Sequence, residues 1–284
     1  MEHGAFMNFH SFSIQGIDAR DFLNRVTTVN VKKLQLGWGT KGLLLTGTAK
    51  VIAPFFLFCL SQERFLVLVC DSNAEDLFEG LENLHFSEKF EITKISKNSG
   101  LTKTIVPDGE KFLPEEHSLE REFFSFSMGT DETNEEIFFP FPLKGVYGFF
   151  SDKSYSPVEE SEFTHLRISS MYPIYEKEWT KESNALDVGF LPWIHRGKGC
   201  YPGQEVVERS LNVGHPSKSL VLITADVPLK EKDDLLVEGK KIGILTSTFA
   251  AEGLAIVQWK YKNSGTSYQV MREGLQVGVA KCQK

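Results

Sequence analysis

The chain predicts an α+β fold followed by a small all-β barrel, and three observations carry that prediction. Residues 42–95 read in the order strand, hairpin, helix, strand, which sets helices on one side of a mainly antiparallel sheet. Beyond His215-Pro216 the texture changes to six short apolar runs separated by turns, the spacing of a compact barrel or sandwich. A length of 284 residues, 41% of them hydrophobic, is enough for one large or two medium domains with a real core. The boundary is expected near residue 214, giving domains 1–214 and 215–284.

Taken in order, Asp18 or a neighbour caps a short helix whose Phe22, Leu23 and Val26 fall on one side. Strands are expected at 42–46, 51–60 and 65–70, with Ser61-Gln62-Glu63-Arg64 closing a hairpin between the last two. The run 51–60 is the most apolar of the chain. It contains Pro54 and falls short of the roughly 20 residues that a membrane helix needs, so it reads as a buried strand. Ser72 with Glu75 has the spacing of a capping box, and Ala74, Leu77, Phe78, Leu81 and Leu84 form an apolar stripe behind it. Residues 90–95 alternate as a strand with one buried face.

From 101 to 162 the pattern loosens, with polar stretches at 130–136 and 151–162 around Phe138, Phe139, Phe141, Phe149 and Phe150. Such aromatic density reads as core, and Pro140 and Pro142 break any long element there. The closing strands are expected at 220–224, 235–238, 242–246, 254–259, 268–271 and 277–280.

Composition excludes several classes of protein. No lysine or arginine precedes Arg20 and no long apolar run is present, so neither a secretory signal nor a membrane span is read. A net charge of −7 argues against strong direct nucleic-acid binding over the whole surface, while His195, Arg196, Lys198, Arg209, His215 and Lys218 leave room for a local basic patch. Cys59, Cys70, Cys200 and Cys282 form no Cys-x-x-Cys pair and show no zinc spacing, so no metal site is expected, and this usage suits a reducing cytoplasm. Cys59 and Cys70 fall in apolar runs and read as core, whereas Cys282 near the terminus reads as an exposed thiol.

The most informative stretch is Lys198-Gly199-Cys200-Tyr201-Pro202-Gly203-Gln204-Glu205. Gly199 and Gly203 permit backbone angles that a Cβ disfavours and Pro202 fixes its own φ, so a tight turn forms around Cys200. A short helix is expected from Gln204 to Arg209, and its N-terminus together with Lys198 and Arg196 favours a thiolate. The alternative is a structural corner with Cys200 as a small buried residue.

This motif, continued by Val206, Val207 and Arg209 and by Gly214-His215, resembles the signature of the YgfZ-type folate-binding proteins, relatives of the glycine-cleavage T protein. Gly16 to Leu23 and Thr28-Val29-Asn30-Val31 resemble that family's opening, where an aspartate more often stands at the position of Asn30. The resemblance covers most of the chain and is weakest from about 101 to 163. It implies an aminomethyltransferase folate-binding-like domain, with a ferredoxin-like part within about 40–165, and a C-terminal β-barrel. The implied cofactor is tetrahydrofolate or a related folate. The implied role is assistance in assembly or repair of iron-sulfur enzymes, including those that modify tRNA, so the partners are those enzymes or cluster-assembly proteins.

On this resemblance Cys200 is the candidate functional thiol, and Lys198, Gly199, Tyr201, Gly203, Gln204, Glu205, Arg209 and Arg167 are motif and ligand-binding candidates. Two departures count against transferase chemistry. Ser169 stands where relatives carry a pterin-gripping glutamate, in Leu166-Arg167-Ile168-Ser169-Ser170-Met171, and Ala53-Pro54 stands where the transferases carry an Asp-Asp step. The Lys-Gly-Arg step is altered as well, to Thr48-Ala49-Lys50. A tetrahydrofolate-dependent one-carbon transferase is the second reading. A third is a cysteine hydrolase, with His195 or His215 as base and Glu205 as orienter.

Overall fold

A computed structural model describes residues 8–102, 122–131, 134–153 and 155–283, so the polar stretch 130–136 lies partly outside it. Two compact units divide the chain. The first takes residues up to Glu160 together with Pro192–Gln204, and the second takes Ser161–Leu191 and the residues from Glu205 onward. The barrel itself begins at Lys218, and by compactness the segment 161–191 and the residues after Gln204 go with it.

The first unit is built on a six-stranded antiparallel sheet of β1 (Phe9–Gln15), β2 (Trp38–Leu45), β3 (Val51–Cys59), β4 (Arg64–Cys70), β5 (Glu91–Ile95) and β7 (Phe123–Ser125), in the order β5-β1-β4-β3-β2-β7. One face is covered by α1 (Ala19–Val26) and α2 (Ala74–Glu82), whose Phe22, Leu23, Val26, Leu77 and Leu81 join Phe55, Leu57, Phe65 and Val67 in one buried cluster. Side chains alternate along a strand, so Phe56 and Phe58 leave β3 by the other face. They meet an aromatic layer of Phe139, Phe141, Phe126 and Trp193, with ring centroids 4.9–5.5 Å apart. Burial on both faces explains the unbroken apolar run of β3.

A second sheet, β6-β10-β9-β8, comprises β6 (Asn98–Thr102), β8 (Ser127–Asp131), β9 (Asn134–Pro140) and β10 (Tyr147–Ser151). Phe139, Phe141, Phe149 and Phe150 are buried and Phe138 half-buried, so the phenylalanine-rich segment is core.

The second unit holds α3 (Glu160–Ser169) and α4 (Gln204–Asn212) with a closed barrel, β11-β14-β13-β12-β15-β16. Its strands are β11 (Lys218–Ala225), β12 (Asp234–Val237), β13 (Lys240–Phe249), β14 (Glu252–Gln258), β15 (Ser267–Arg272) and β16 (Leu275–Cys282). All pairings are antiparallel, and Val221, Ile223, Leu235, Leu245, Val257, Tyr268 and Val270 fill the interior.

Three local expectations are corrected. The α2 helix starts at Ala74 after a 3-10 turn, Asp71–Asn73, with Asn73 at its N-cap and no side-chain cap. Ser72 Oγ donates to Asn73 Oδ1 instead, and Glu75 pairs with Lys94. Asp18 does stand at the N-cap of α1, but its carboxylate accepts the Lys89 N–H at 2.8 Å, because that loop lies alongside. Cys282 is buried rather than exposed, since at the end of β16 its side chain joins the barrel core and its thiol donates to the Lys262 carbonyl at 3.3 Å.

Candidate functional site

The segment Pro192–Gln204 belongs to the first unit and is fastened there by backbone-level contacts. Thr28 is the hub. Its Oγ1 donates to the Trp193 carbonyl at 2.8 Å and accepts the Leu43 N–H at 2.8 Å, and its own carbonyl accepts the His195 N–H at 3.1 Å.

The imidazole of His195 is then held at both nitrogens. Nδ1 accepts the Asn30 N–H at 3.3 Å, which places the ring proton on Nε2, 3.0 Å from Thr40 Oγ1, and the threonine hydroxyl donates its own hydrogen bond to the Glu122 carbonyl. Burial, reinforced by the charges of Lys41 and Lys198, lowers the His195 pKa to about 3. Glu122 Oε2 lies 3.8 Å from Nδ1, but an unprotonated nitrogen that already accepts a bond makes no ion pair with it. His195 is a neutral structural histidine, and it has no nitrogen left to act as a base toward Cys200. Lys41, which no sequence pattern singled out, is also buried, and burial lowers its ammonium to about 8.

Three residues of the motif are anchored. The Lys198 ammonium donates to the Asn24 carbonyl at 2.6 Å and to the Thr27 carbonyl, the C-terminal turn of α1, where a cation complements unpaired carbonyls and the helix dipole. Burial lowers its pKa to about 8, and negative charge on Cys200 acts in the opposite direction. Tyr201 is buried with its ring 4.9 Å from Lys198 Nζ. Gly203 is buried against the turn between β2 and β3. A Cβ there would stand 2.7 Å from the Thr46 carbonyl oxygen and 2.9 Å from the Ala49 nitrogen, and its φ of +81° is itself left-handed.

Between these anchors Gly199 and Cys200 are exposed. Gly199 differs from the expectation. Its φ lies outside the left-handed region and a Cβ would meet nothing within 4 Å, so the bend is made by Gly203 and, before the motif, by Gly197 at φ +69°.

Downstream, Glu205 and Arg209 pair with each other at 2.7 Å on the exposed face of α4, while Gln204 opens that helix and is half-buried. Arg167 lies elsewhere in the second unit. It is buried, with Nη1 donating to Glu178 Oε2 at 3.1 Å and Nη2 to Ser247 Oγ. His215 is stacked on Trp259 and its Nδ1 lies 2.7 Å from the Pro216 carbonyl.

Residues 6–127 match the family model described as the GCVT N-terminal domain. A chloroplastic protein of Arabidopsis thaliana that bears a provisional transferase name is 25% identical over 84% of this chain, which spans 60% of that relative's length. An aminomethyltransferase of Halalkalibacterium halodurans is 21% identical, over 89% of this chain and 77% of its own. The glycine cleavage system aminomethyltransferase T of Bartonella henselae, at 17% identity, superposes with a TM-score of 0.81 over 99% of this chain and 83% of that one, a likeness of fold. The N-terminal part of the chain is thus similar to the GCVT N-terminal domain, and the chain shares the fold of an aminomethyltransferase.

The chain departs from the transferase pattern at the positions that the resemblance assigns to chemistry. Ala53 is fully buried and pairs with Leu44 within the sheet, and Pro54 follows it, so the Asp-Asp step has no carboxylate here. Ser169 Oγ donates back to the His165 and Leu166 carbonyls of α3 at 3.0 and 3.1 Å. A short hydroxyl committed to its own helix does not fit the two-acceptor grip that a pterin edge requires.

Proposed function

We propose that this chain is an accessory protein for assembly or repair of iron-sulfur enzymes, acting through Cys200 and thereby indirectly supporting the cluster enzymes that modify tRNA. The observation that carries the reading is the contrast within one loop: Lys198, Tyr201 and Gly203 are buried anchors and Cys200 is exposed between them. A loop fixed on both sides presents its thiol at little entropic cost when a partner arrives.

The chemistry suits brief contact. The thiol releases its proton to water as its sulfur displaces a labile water ligand from an iron at a cluster edge, and a thiolate of the client then displaces Cys200, which leaves as a thiolate and regains a proton from water. Stable holding calls for several ligands. Among the described residues no group of three or more His, Cys, Asp or Glu is placed to hold a metal ion. The partners on this reading are iron-sulfur enzymes or cluster-assembly proteins in the cytoplasm. No helix among the described residues is long and apolar enough to cross a membrane.

Relationship to the aminomethyltransferases makes tetrahydrofolate or a related folate the small-molecule candidate. Ser169 argues for weak binding, and no step of the thiol chemistry passes through the folate. The second reading, a folate-dependent one-carbon transferase, is disfavoured by the same residue and by Ala53-Pro54.

Cys200→Ser is expected to abolish complementation of a cluster-enzyme defect while leaving the thermal melt unchanged. A fully active serine variant refutes the proposal. Tight calorimetric binding of tetrahydrofolate accompanied by turnover restores the transferase reading.

A further inference from the structure

At one end of the barrel the start of β11 lies beside the end of β14. Lys218 pairs with Gln258, and the Trp259 N–H donates to the Ser217 carbonyl at 3.1 Å. A 3-10 turn, Trp259–Tyr261, follows directly. The imidazole of His215 lies parallel to the indole of Trp259, with centroids 5.7 Å apart and planes 4° from coplanar. Lys262 Nζ sits 4.2 Å from the Trp259 ring centroid and Lys260 Nζ 4.7 Å from that of Tyr261. Tyr261 packs on the barrel core, and its carbonyl accepts the Tyr268 hydroxyl at 2.6 Å, so the turn is fixed to a rigid support.

The charge of this end is predominantly positive. Stretches 210–225 and 253–272 contain no Asp or Glu, although the chain has 38 acidic residues. Ion pairs among the described residues of the second unit engage Arg167, Lys177, Arg209, Lys241 and Arg272, and leave out Lys218, Lys260 and Lys262. The carboxylate of Asp187 does reach this end, where its oxygens accept the Ser217 hydroxyl at 2.8 Å and the Lys218 N–H at 3.2 Å.

An acidic peptide would need only the cations. Here they alternate with ring faces in residues 259–262, the combination that tracks a single strand: ammonium groups for phosphates and flat rings for bases. A net charge of −7 disfavours wrapping a duplex over the whole surface, and leaves local capture of a few nucleotides possible.

We propose that this end of the barrel binds a short single-stranded nucleic-acid segment, the three lysines taking phosphates and the His215–Trp259 stack taking a base. The proposal does not depend on Cys200.

The test is fluorescence anisotropy of the full chain with a fluorescein-labelled oligouridylate about 12 nucleotides long. About three neutralised phosphates give a slope of log affinity against log salt near −2 for a single strand. Lys260→Gln with Lys262→Gln should weaken binding about tenfold or more. Trp259→Leu should weaken it several-fold at nearly the same salt slope, and His215→Ala repeats that test without touching the barrel core. Cys200→Ser should bind as the parent does, which separates this proposal from the thiol reading. No binding at 50 mM salt, on the order of the low-salt conditions where phosphate contacts are strongest, overturns the proposal. So does binding indifferent to the lysine pair. Equal competition by polyglutamate, with Trp259→Leu and His215→Ala silent, assigns the patch to an acidic protein surface instead.

Discussion

Gly199 and Gly203 stand in one loop and meet different demands. At Gly203 a Cβ would collide with the backbone of Thr46 and Ala49 while φ is +81°, so Gly203→Ala is strained twice and is expected to cost about 2 kcal/mol or more. At Gly199 the space is open and φ is ordinary, so Gly199→Ala is expected to change stability by less than about 0.5 kcal/mol. Urea midpoints at equal slope check both, and equal losses would refute the anchoring of Gly203. His195 supplies the acid response of the same region. Its native pKa is lowered from 6.5 to about 3, chiefly by burial, so between these values the unfolded chain holds a proton that the native ring does not. The stabilisation is therefore complete above pH 6.5 and is lost as pH falls toward 3. Melting temperature against pH should fall less steeply from 6.5 downward in His195→Gln than in the parent, the window being set by that shift. Parallel curves would show that the ring does not govern the acid limb.

Among the elements of the second unit, the segment after α3 is tied to β13 by a saturated carboxylate. Glu178 accepts from Arg167 Nη1 at 3.1 Å, the Ile174 N–H at 3.0 Å, Thr246 Oγ1 at 2.8 Å and Ser247 Oγ. Both members of the ion pair are almost fully buried, so removing either strands the other in a poor solvent. Arg167→Met and Glu178→Gln are each expected to cost about 3 kcal/mol or more, and the double variant less than their sum. A double-mutant cycle in urea tests this, and simple additivity would refute the coupling. The arginine was visible in the sequence as a ligand candidate, but nothing there showed that a glutamate eleven residues later would fold back onto it. Side-chain capping was misread for a related reason. Ser72 and Glu75 have the right spacing, yet an intervening 3-10 turn moves the helix start to Ala74 and leaves both groups to other partners. Spacing along the chain fixes periodicity, whereas caps depend on a single backbone angle.

For the molecule as a whole, periodicity was the legible signal. Each of the six barrel strands was expected and occurs, because short apolar runs between turns mark them, although β11 and β14 also bury Leu220 and Leu254 in a second cluster with Ile168. β3 was expected as a buried strand because both of its faces are covered. β1 and the four-stranded sheet were not foreseen, since β1 is broken by serines, β6 is a short and largely polar run, and β9 and β10 hide within phenylalanine clusters. Thiol environments were the least legible feature, because they depend on neighbours distant in sequence. Cys59 is fully buried with its sulfur 3.2 Å from Arg20 Nη2, Cys282 is buried at the end of β16, and burial followed by the charge of Asp71 pushes the Cys70 thiol up to about 12. Cys200 alone among the four is exposed. Alkylation requires both access and a thiolate, so iodoacetamide at neutral pH should label the native chain at Cys200 and, over the same interval, leave the other three largely unmodified. Global unfolding exposes those three, and their labelling should follow the denaturant transition, whereas that of Cys200 should precede it. Peptide mapping by mass spectrometry reads each site separately. Rapid native labelling of Cys70 or Cys282, or a Cys200 that reacts only after unfolding, would remove the basis for assigning function to the loop.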